Sequence, residues 1–577
     1  MWSVLKFLSS IRNILIVILT PILLLPVTLS IPGQESSCAY VVIIMAVFWI
    51  TEALPLNVTA LLPIFMFPMV GVLSAGAVAK VFFTSTSLMF LGGMAVGVAI
   101  EEWDIHKRIA LKILLLLGAR PVWLMLGLML TAWFLSMWIS NTATVAMMLP
   151  IAMAILQQLK ENTKLKQSTN VDGTDEHLIS SQNGNVKGDI ELTDLNDIEK
   201  NCAPREINGK TRVDEDNNEM TQDESKESAE WTRISKALCL CIAYAANVGG
   251  TASMTGSTPN LVLKGQLDTV YKDLDSKNPL TFSKWLAFGI PTSFVIVILS
   301  WLWLQVYFLR CRGWSGCRKS EEEDDIAIRS ILRAEYAKLG PFTFAQVSVL
   351  MHLILIALLW ITRDMGGTIG WAGLFEDDFI KDSVPAVFVA CLLFIFPSQI
   401  PSLQTGTEES TPIKPLLSWK VFNAKMPWGV VLLLGGGFAM AKASQESGLS
   451  AWIGSQLMGL SHLDPWLLNL VICFIVAAAT EVTSNTATTS LMLPIIAELS
   501  LKIGLDPLYL MYPISFAASF AFMLPVATPP NVVVFSSGYV RVIDMIKAGF
   551  VLNIIAVGVL VVFNEYLREA LFGSKFL

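Results

Sequence analysis

The chain has 577 residues, of which 54% are hydrophobic and only 15% charged, with a mean hydropathy of +0.60. A soluble protein carries about 25% charged residues, so a soluble enzyme, a nucleic-acid binder and a disordered chain are all excluded. The formal charge of −7 belongs to one segment: residues 161–233 hold 18 acidic and 9 basic side chains, the rest of the chain 29 and 31. The composition reads as an all-α polytopic membrane protein.

In chain order, the apolar run over 14–31 is long enough to cross a hydrocarbon core of about 30 Å. No small-residue cleavage site follows it, so it reads as a retained first helix with Lys6 and Arg12 holding the N-terminus in the cytoplasm. Further apolar stretches fall at about 39–53, 58–77, 86–100, 109–117, 121–138, 143–157, 235–248, 284–309, 345–361, 384–398, 428–443, 465–479, 487–500, 507–527 and 547–564. Several are too short to cross alone, which predicts re-entrant hairpins and broken helices surrounded by protein or water. Five segments follow from this pattern. Residues 1–160 form a first repeat with the N-terminal helix and a first hairpin, and 161–233 a disordered acidic cytoplasmic loop. Residues 234–310 hold a broken helix, 311–344 a cytoplasmic linker beside Arg310, Arg312, Arg318 and Lys319, and 345–577 the second repeat. Eight Cys without a C-x-x-C pair and four scattered His (106, 177, 352 and 462) argue against a zinc site or a His-based catalytic constellation.

An internal repeat carries the functional reading. Ser140-Asn-Thr-Ala-Thr144 and Ser484-Asn-Thr-Ala-Thr488 are each followed by five residues and then Pro-Ile, at Pro150 and Pro494. Gly92-Gly93 lies upstream of the first copy as Gly435-Gly436-Gly437 lies upstream of the second. Downstream, Gly256-Ser-Thr-Pro-Asn260 matches Ala527-Thr-Pro-Pro-Asn531. Asn141 and Asn260 are 119 residues apart, whereas Asn485 and Asn531 are 46 apart; the difference of 73 is the length of segment 161–233. One insertion reconciles the halves, and an odd number of crossings per half would invert one against the other.

The residue types suit ions. A hairpin tip at mid-membrane depth offers carbonyls, hydroxyls and an Asn amide oxygen to a hard cation such as sodium. The N–H groups of the helix that follows suit an anion. Pro-Asn after Ser257 and Thr528 breaks a helix near each tip, adding carbonyls and a new helix N-terminus. Ser and Asn within membrane helices often only bond a neighbouring helix, but duplication of tip and break together favours the site reading. Glu481 and Glu52 are intramembrane carboxylates by position, off the motif, each with either a functional role or a simple partner. Lys442 could help attract a divalent anion but reads better as a helix-end anchor, and His106, Lys107 and Arg108 read as an interfacial basic cluster. A channel would need a continuous polar ring, and a scaffold or receptor has no use for duplicated broken helices.

Ser140-Asn141-Thr142, Ser484-Asn485-Thr486 and Met523-Leu-Pro-Val-Ala-Thr-Pro-Pro-Asn531 resemble the motifs of the sodium/dicarboxylate–citrate–sulfate cotransporters (solute carrier family 13, the divalent anion:sodium symporters). Met89-Phe-Leu-Gly-Gly93, Trp103-Asp-Ile-His-Lys-Arg-Ile-Ala-Leu111 and Gly249-Gly-Thr-Ala-Ser-Met-Thr-Gly256 fit the same family. The resemblance implies an inverted-repeat elevator transporter with about eleven transmembrane helices, two re-entrant hairpins and two broken helices, working as a homodimer in the plasma-membrane bilayer. It implies a first sodium site at Ser136, Ser140, Asn141 and Gly256 and a second at Thr480, Thr483, Asn485 and Ala527. The substrate carboxylates would meet Asn141, Thr142, Ser257, Thr258, Asn485, Thr486, Thr528 and Pro529.

By the same resemblance the function is sodium-coupled import of di- and tricarboxylates. Sulfate transport and sodium-independent carboxylate exchange are the alternatives within the family. Sulfate-preferring relatives resemble Gly-Thr-Ser-Thr-Asn at the first break, where this chain has Pro259, and citrate-preferring relatives carry Gly at the position of Thr258. A side chain there narrows the space for a third carboxylate, which favours succinate, malate and 2-oxoglutarate over citrate.

Overall fold

The computed structural model describes residues 11–30, 33–117, 120–171, 222–309, 318–364, 370–376, 379–400, 413–456, 459, 462–574 and 576. Among them there is no strand, only the isolated bridges Pro397–Pro415 and Leu505–Phe576. Among the described residues six helices are long and apolar enough to cross a membrane: Gln34–Thr51, Ala75–Glu102, Trp231–Ala252, Phe282–Leu309, Phe344–Arg363 and Val542–Phe572. Helices Trp419–Lys425 and Trp428–Glu446, bent by 59° at their junction, add a seventh span if taken as one. Shorter apolar helices accompany them, among them Val122–Ser136, Asn141–Gln157 and Pro465–Thr480. The chain is an all-α polytopic membrane protein.

The helices sort by what surrounds them. Met351, Ile354, Leu358, Phe388, Phe550, Ile554 and Val562 are exposed large hydrophobics, the surface a lipid solvent favours. By contrast, 89% of the spanning window in Trp231–Ala252 is buried, and every residue of helix Pro507–Ala517 is buried. Those two helices lead into the breaks, and unwound backbone in a membrane is tolerated only inside protein. Helix Phe282–Leu304 walls the second of them with aromatics. Trp285 meets Tyr512 edge-on at 4.9 Å and stacks on Phe516 at 5.7 Å, and Phe288 meets Tyr512 at 4.7 Å.

Three segments differ from the sequence reading. The stretch expected over 58–77 is three helices, Leu56–Thr59, Leu62–Met69 and Ala75–Phe82, because Pro63 starts a helix and Gly71 turns the chain at φ +74°. The polar linker contains helix Arg318–Lys338, rich in good helix formers. By contacts the chain divides into two units, Met1–Gln157 with Arg233–Leu577, and Gln158–Thr232. The loop expected over 161–233 begins in helix Asn141–Val171 and ends in helix Gln222–Ala252; residues 172–221 lie outside the described residues.

His106, Lys107 and Arg108 also part company. Only Lys107 faces outward, paired with Asp104 at 2.8 Å. His106 is buried with Nδ1 3.1 Å from the Ile100 carbonyl. Arg108 is buried too, donating to the carbonyls of Leu339, Gly340 (2.8 Å) and Pro341 (2.9 Å) beyond helix Arg318–Lys338. A guanidinium presents five N–H donors in a fixed fork, so one side chain takes up the carbonyls of the whole turn.

Candidate functional site: two hairpin tips and two helix breaks

Each hairpin is a pair of helices folded about a four-residue tip. Helix Pro121–Ser136 returns after 137–140 as Asn141–Val171, and Pro465–Thr480 returns after 481–484 as Asn485–Lys502. Both incoming arms have Pro in the first turn, and both outgoing arms carry a proline at matching places, Pro150 and Pro494. The last hydroxyl of each incoming arm donates to the Asn five residues on. Ser136 Oγ reaches Asn141 Oδ1 at 2.5 Å, and Thr480 Oγ1 reaches Asn485 Oδ1 at 2.7 Å. Ser136 and Thr480 are both 0% exposed.

The breaks repeat just as closely. Helix Gln222–Ala252 stops, 253–257 are unwound, and Thr258–Asp273 restarts the helix. Helix Pro507–Ala517 gives way to 518–528, with a short 3-10 turn at Pro525–Ala527, before Pro529–Ser536. Asn260 Nδ2 donates back to the carbonyls of Gly250 (2.9 Å) and Ser253 (2.8 Å); Asn531 Nδ2 donates to those of Ala521 and Leu524, both at 2.9 Å. Each Asn thus clasps the carbonyls ten and seven residues behind it. Unwound carbonyls need such partners inside a membrane protein. The N-caps match as well: Ser257 has φ −142°, ψ 146° and Thr528 has φ −146°, ψ 149°. Neither side chain caps its own helix, whereas Thr281, Thr343 and Asp506 cap theirs.

Tips and breaks are tied together. Ser253 Oγ donates to the Met137 carbonyl at 2.6 Å. A Cβ on Gly256 would stand 2.7 Å from the Gly250 carbonyl, 3.0 Å from the Ser136 carbonyl and 3.0 Å from Ser253 Oγ. A Cβ on Gly250 would stand 2.7 Å from Asn141 Oδ1. In the second half, Thr480 Oγ1 also reaches the Ala518 carbonyl at 2.7 Å. Across the halves, Asn247 Nδ2 lies 3.3 Å from Thr528 Oγ1 and 3.4 Å from both the Ala521 carbonyl and Asn531 Oδ1, and Ser257 Oγ is 3.5 Å from Ser519 Oγ. Each tip is therefore a knot of carbonyl, hydroxyl and amide oxygens, the donor set of a hard cation. Beside each lies a helix N-terminus, the donor set for an anion.

The structure brings Ser136, Asn141 and Gly256 together, while the Ser140 hydroxyl accepts from the Ala143 N–H at 3.2 Å. Thr480 and Asn485 meet. Thr483 turns back to the Ala479 carbonyl (2.9 Å) and Thr488 Oγ1 (2.5 Å), and Ala527 lies buried in the 3-10 turn before Thr528. Ser257 and Thr528 are linked to the opposite half through Ser519 and Asn247. Thr142 and Thr258 are half-buried at their helix starts, Thr486 is buried and Pro529 is exposed. Sequence reasoning missed Asn247, Gly250 and Ser253. Asn247, a lone amide in the apolar stretch 237–250, was the available signal. Lys442 pairs with Glu446 at 3.2 Å, and Glu52 is an exposed C-cap at φ 49°. A cavity of about 230 Å³ lies elsewhere, lined by Gln266, Asp273, Gln445 and Glu498 among others; it contains none of the repeat's tip or break residues.

Duplicated hairpins crossed with duplicated broken helices define a polytopic protein of the secondary-transporter class. The family profile described as "Sodium:sulfate symporter transmembrane region" matches residues 8–573, and the chain belongs to that family. It is 42% identical over 571 residues to the Na(+)/citrate cotransporter of Rattus norvegicus, covering 96% of this chain and 95% of the relative. It is 42% identical over 558 residues to the Na(+)/dicarboxylate cotransporter 3 of Homo sapiens (95% and 90% covered). It is 43% identical over 568 residues to solute carrier family 13 member 2 of Oryctolagus cuniculus (96% and 92% covered).

Proposed function

We propose that this chain is a sodium-coupled symporter that imports dicarboxylates such as succinate, malate and 2-oxoglutarate, and citrate less readily, across the plasma membrane. The observation that carries the reading is the matched pair of tip-and-break knots, each joining cation-type oxygens to a helix N-terminus. The relatives named as citrate and dicarboxylate cotransporters support the substrate class. None of the residues assigned to the site carries a charge. Burying a dianion among neutral groups is costly, so sodium bound at Ser136, Ser140, Asn141 and Gly256, and at Thr480, Thr483, Asn485 and Ala527, supplies the counter-charge. The carboxylates then lie against Asn141, Thr142, Ser257, Thr258, Asn485, Thr486, Thr528 and Pro529. Every net positive charge carried inward gains about 2.3 kcal/mol per 100 mV. The two halves are inverted in the membrane, the tips and breaks move together as an elevator against the other helices, and two copies form a homodimer.

Uptake of labelled succinate by vesicles under an inward sodium gradient tests this reading. Accumulation above the external concentration is expected, with loss when choline replaces sodium. Undiminished uptake in choline refutes the coupling, and stronger competition by sulfate than by succinate refutes the substrate class.

A further inference from the structure

Glu481 occupies the position that Met137 holds in the first hairpin. The residue is 4% exposed, and its carboxylate accepts from the N–H groups of Phe522 (2.8 Å), Met523 (3.0 Å to each oxygen) and Leu524 (3.1 Å) and from Asn553 Nδ2 (2.8 Å). The asymmetry has a backbone cause. The first helix persists to Ala252, whereas the second ends at Ala517. Aligned on Asn260 and Asn531, residues 522–524 match 251–253, of which the first two are still helical. The longer break leaves three amide N–H groups without helical partners, and the second hairpin supplies a carboxylate that takes all three.

The last membrane helix closes the clamp. Asn553 donates to Glu481, and Gly549, one turn earlier, lies so close that a Cβ there would stand 2.4 Å from the Phe522 carbonyl and 2.8 Å from the Met523 nitrogen. Tyr244 meets Phe522 edge-on at 5.4 Å. In a trans peptide the N–H of one residue and the C=O before it point opposite ways. Fixing the N–H groups of 522–524 on Glu481 therefore fixes the carbonyls of 521–523, and Ala521 is one of the two carbonyls that Asn531 clasps.

We propose that Glu481 is a positioning residue for the second cation site. It orders the unwound segment 518–528, and so sets Ala527, Thr528 and the Ala518 carbonyl against Thr480 and Asn485 before the cation arrives. Asn553 and Gly549 belong to the same device. The proposal rests on the sodium-coupled reading above.

The test uses the full-length chain in membranes and the variants Glu481→Gln, Gly549→Ala and Asn553→Ala. Succinate uptake per surface copy is followed against sodium at saturating succinate, and against succinate at saturating sodium. Glu481→Gln turns one acceptor into a donor facing backbone N–H groups. The sodium half-saturation is expected to rise roughly tenfold, with a much smaller change in the succinate half-saturation. Gly549→Ala keeps the charge but displaces Phe522, and shifts the same parameter the same way. Wild-type sodium curves with the loss confined to surface abundance or maximal rate would overturn the proposal and leave the symport reading intact. Should Glu481→Gln fail to reach the membrane, Gly549→Ala and Asn553→Ala decide by the same criterion. Sodium-independent uptake by the unmutated chain overturns both readings, and is seen before any variant is measured.

Discussion

Adding a single methyl group at Gly256 tests the first knot directly. The Cβ of Gly256→Ala would sit 2.7 Å from the Gly250 carbonyl and 3.0 Å from both the Ser136 carbonyl and Ser253 Oγ. Contacts that short require the neighbours to move. The Gly250 carbonyl cannot yield freely, because it belongs to helix Gln222–Ala252 and accepts from Asn260 at 2.9 Å. Overpacking of this kind costs about 1–3 kcal/mol. Concentrated on groups that would hold a cation, it corresponds to a roughly 5- to 150-fold weakening of sodium binding. The second half carries Ala527 at the matching position. It accommodates the methyl because Ala521, the counterpart of Gly250, lies beyond the end of its helix at Ala517. The assay is sodium-dependent succinate uptake normalised to surface protein. Gly256→Ala should shift the curve to higher sodium and recover rate as sodium is raised, while Ala527→Gly should shift it far less. An unshifted sodium curve for Gly256→Ala at normal surface abundance would refute the placement of a cation among these oxygens.

Asn260→Ala and Asn531→Ala should each lower stability by about 2–3 kcal/mol, since each strands two buried carbonyls; thermal unfolding in lipid nanodiscs would show two similar drops if the clasps are equivalent. Deletion of 172–221 should leave uptake per surface copy unchanged, because the second repeat joins the same elements without an insertion, and a correctly trafficked but inactive deletion would contradict this. Thr258→Gly should raise citrate uptake relative to succinate by opening space for a third carboxylate. An unchanged ratio in competition assays would remove the steric argument.

The repeat was legible in the sequence because each element leaves a local mark: Ser-Asn-Thr at a tip, Pro-Asn after a break, and a single insertion that restores the register. The structure adds that Asn260 and Asn531 act through their own upstream carbonyls, at identical offsets of ten and seven residues. A repeat alignment places those residues but does not show the bonds. Partners that meet across the fold are not named by the sequence, even where one of the pair, such as Asn247, stands out in it. Asn247 meets Thr528 from 281 positions away, and Arg108 meets Gly340 from 232. Glu481 was visible as an intramembrane acid, yet its role depended on where the second helix ends. That boundary lies at Ala517, 36 positions beyond Glu481 in the chain.

The duplicated site is unequal, and the inequality bears on the order of binding. In the first half the break is short, the flanking helix continues to Ala252, and hydroxyl, carbonyl and amide oxygens converge around Gly256. In the second half eleven residues, 518–528, are unwound, and their geometry depends on bonds from Thr480, Glu481, Asn531 and Asn553. On the proposed reading Asn141 and Asn485 serve both a cation and a carboxylate. Their amide oxygens accept from Ser136 and Thr480, which leaves the amide N–H groups to face the anion. A cation drawn to those oxygens strengthens the same orientation, while a dianion arriving first would meet neutral groups with no counter-charge in place. On that reading sodium ahead of carboxylate is the order the geometry favours, because the counter-charge has to be in place before a dianion is buried among neutral groups.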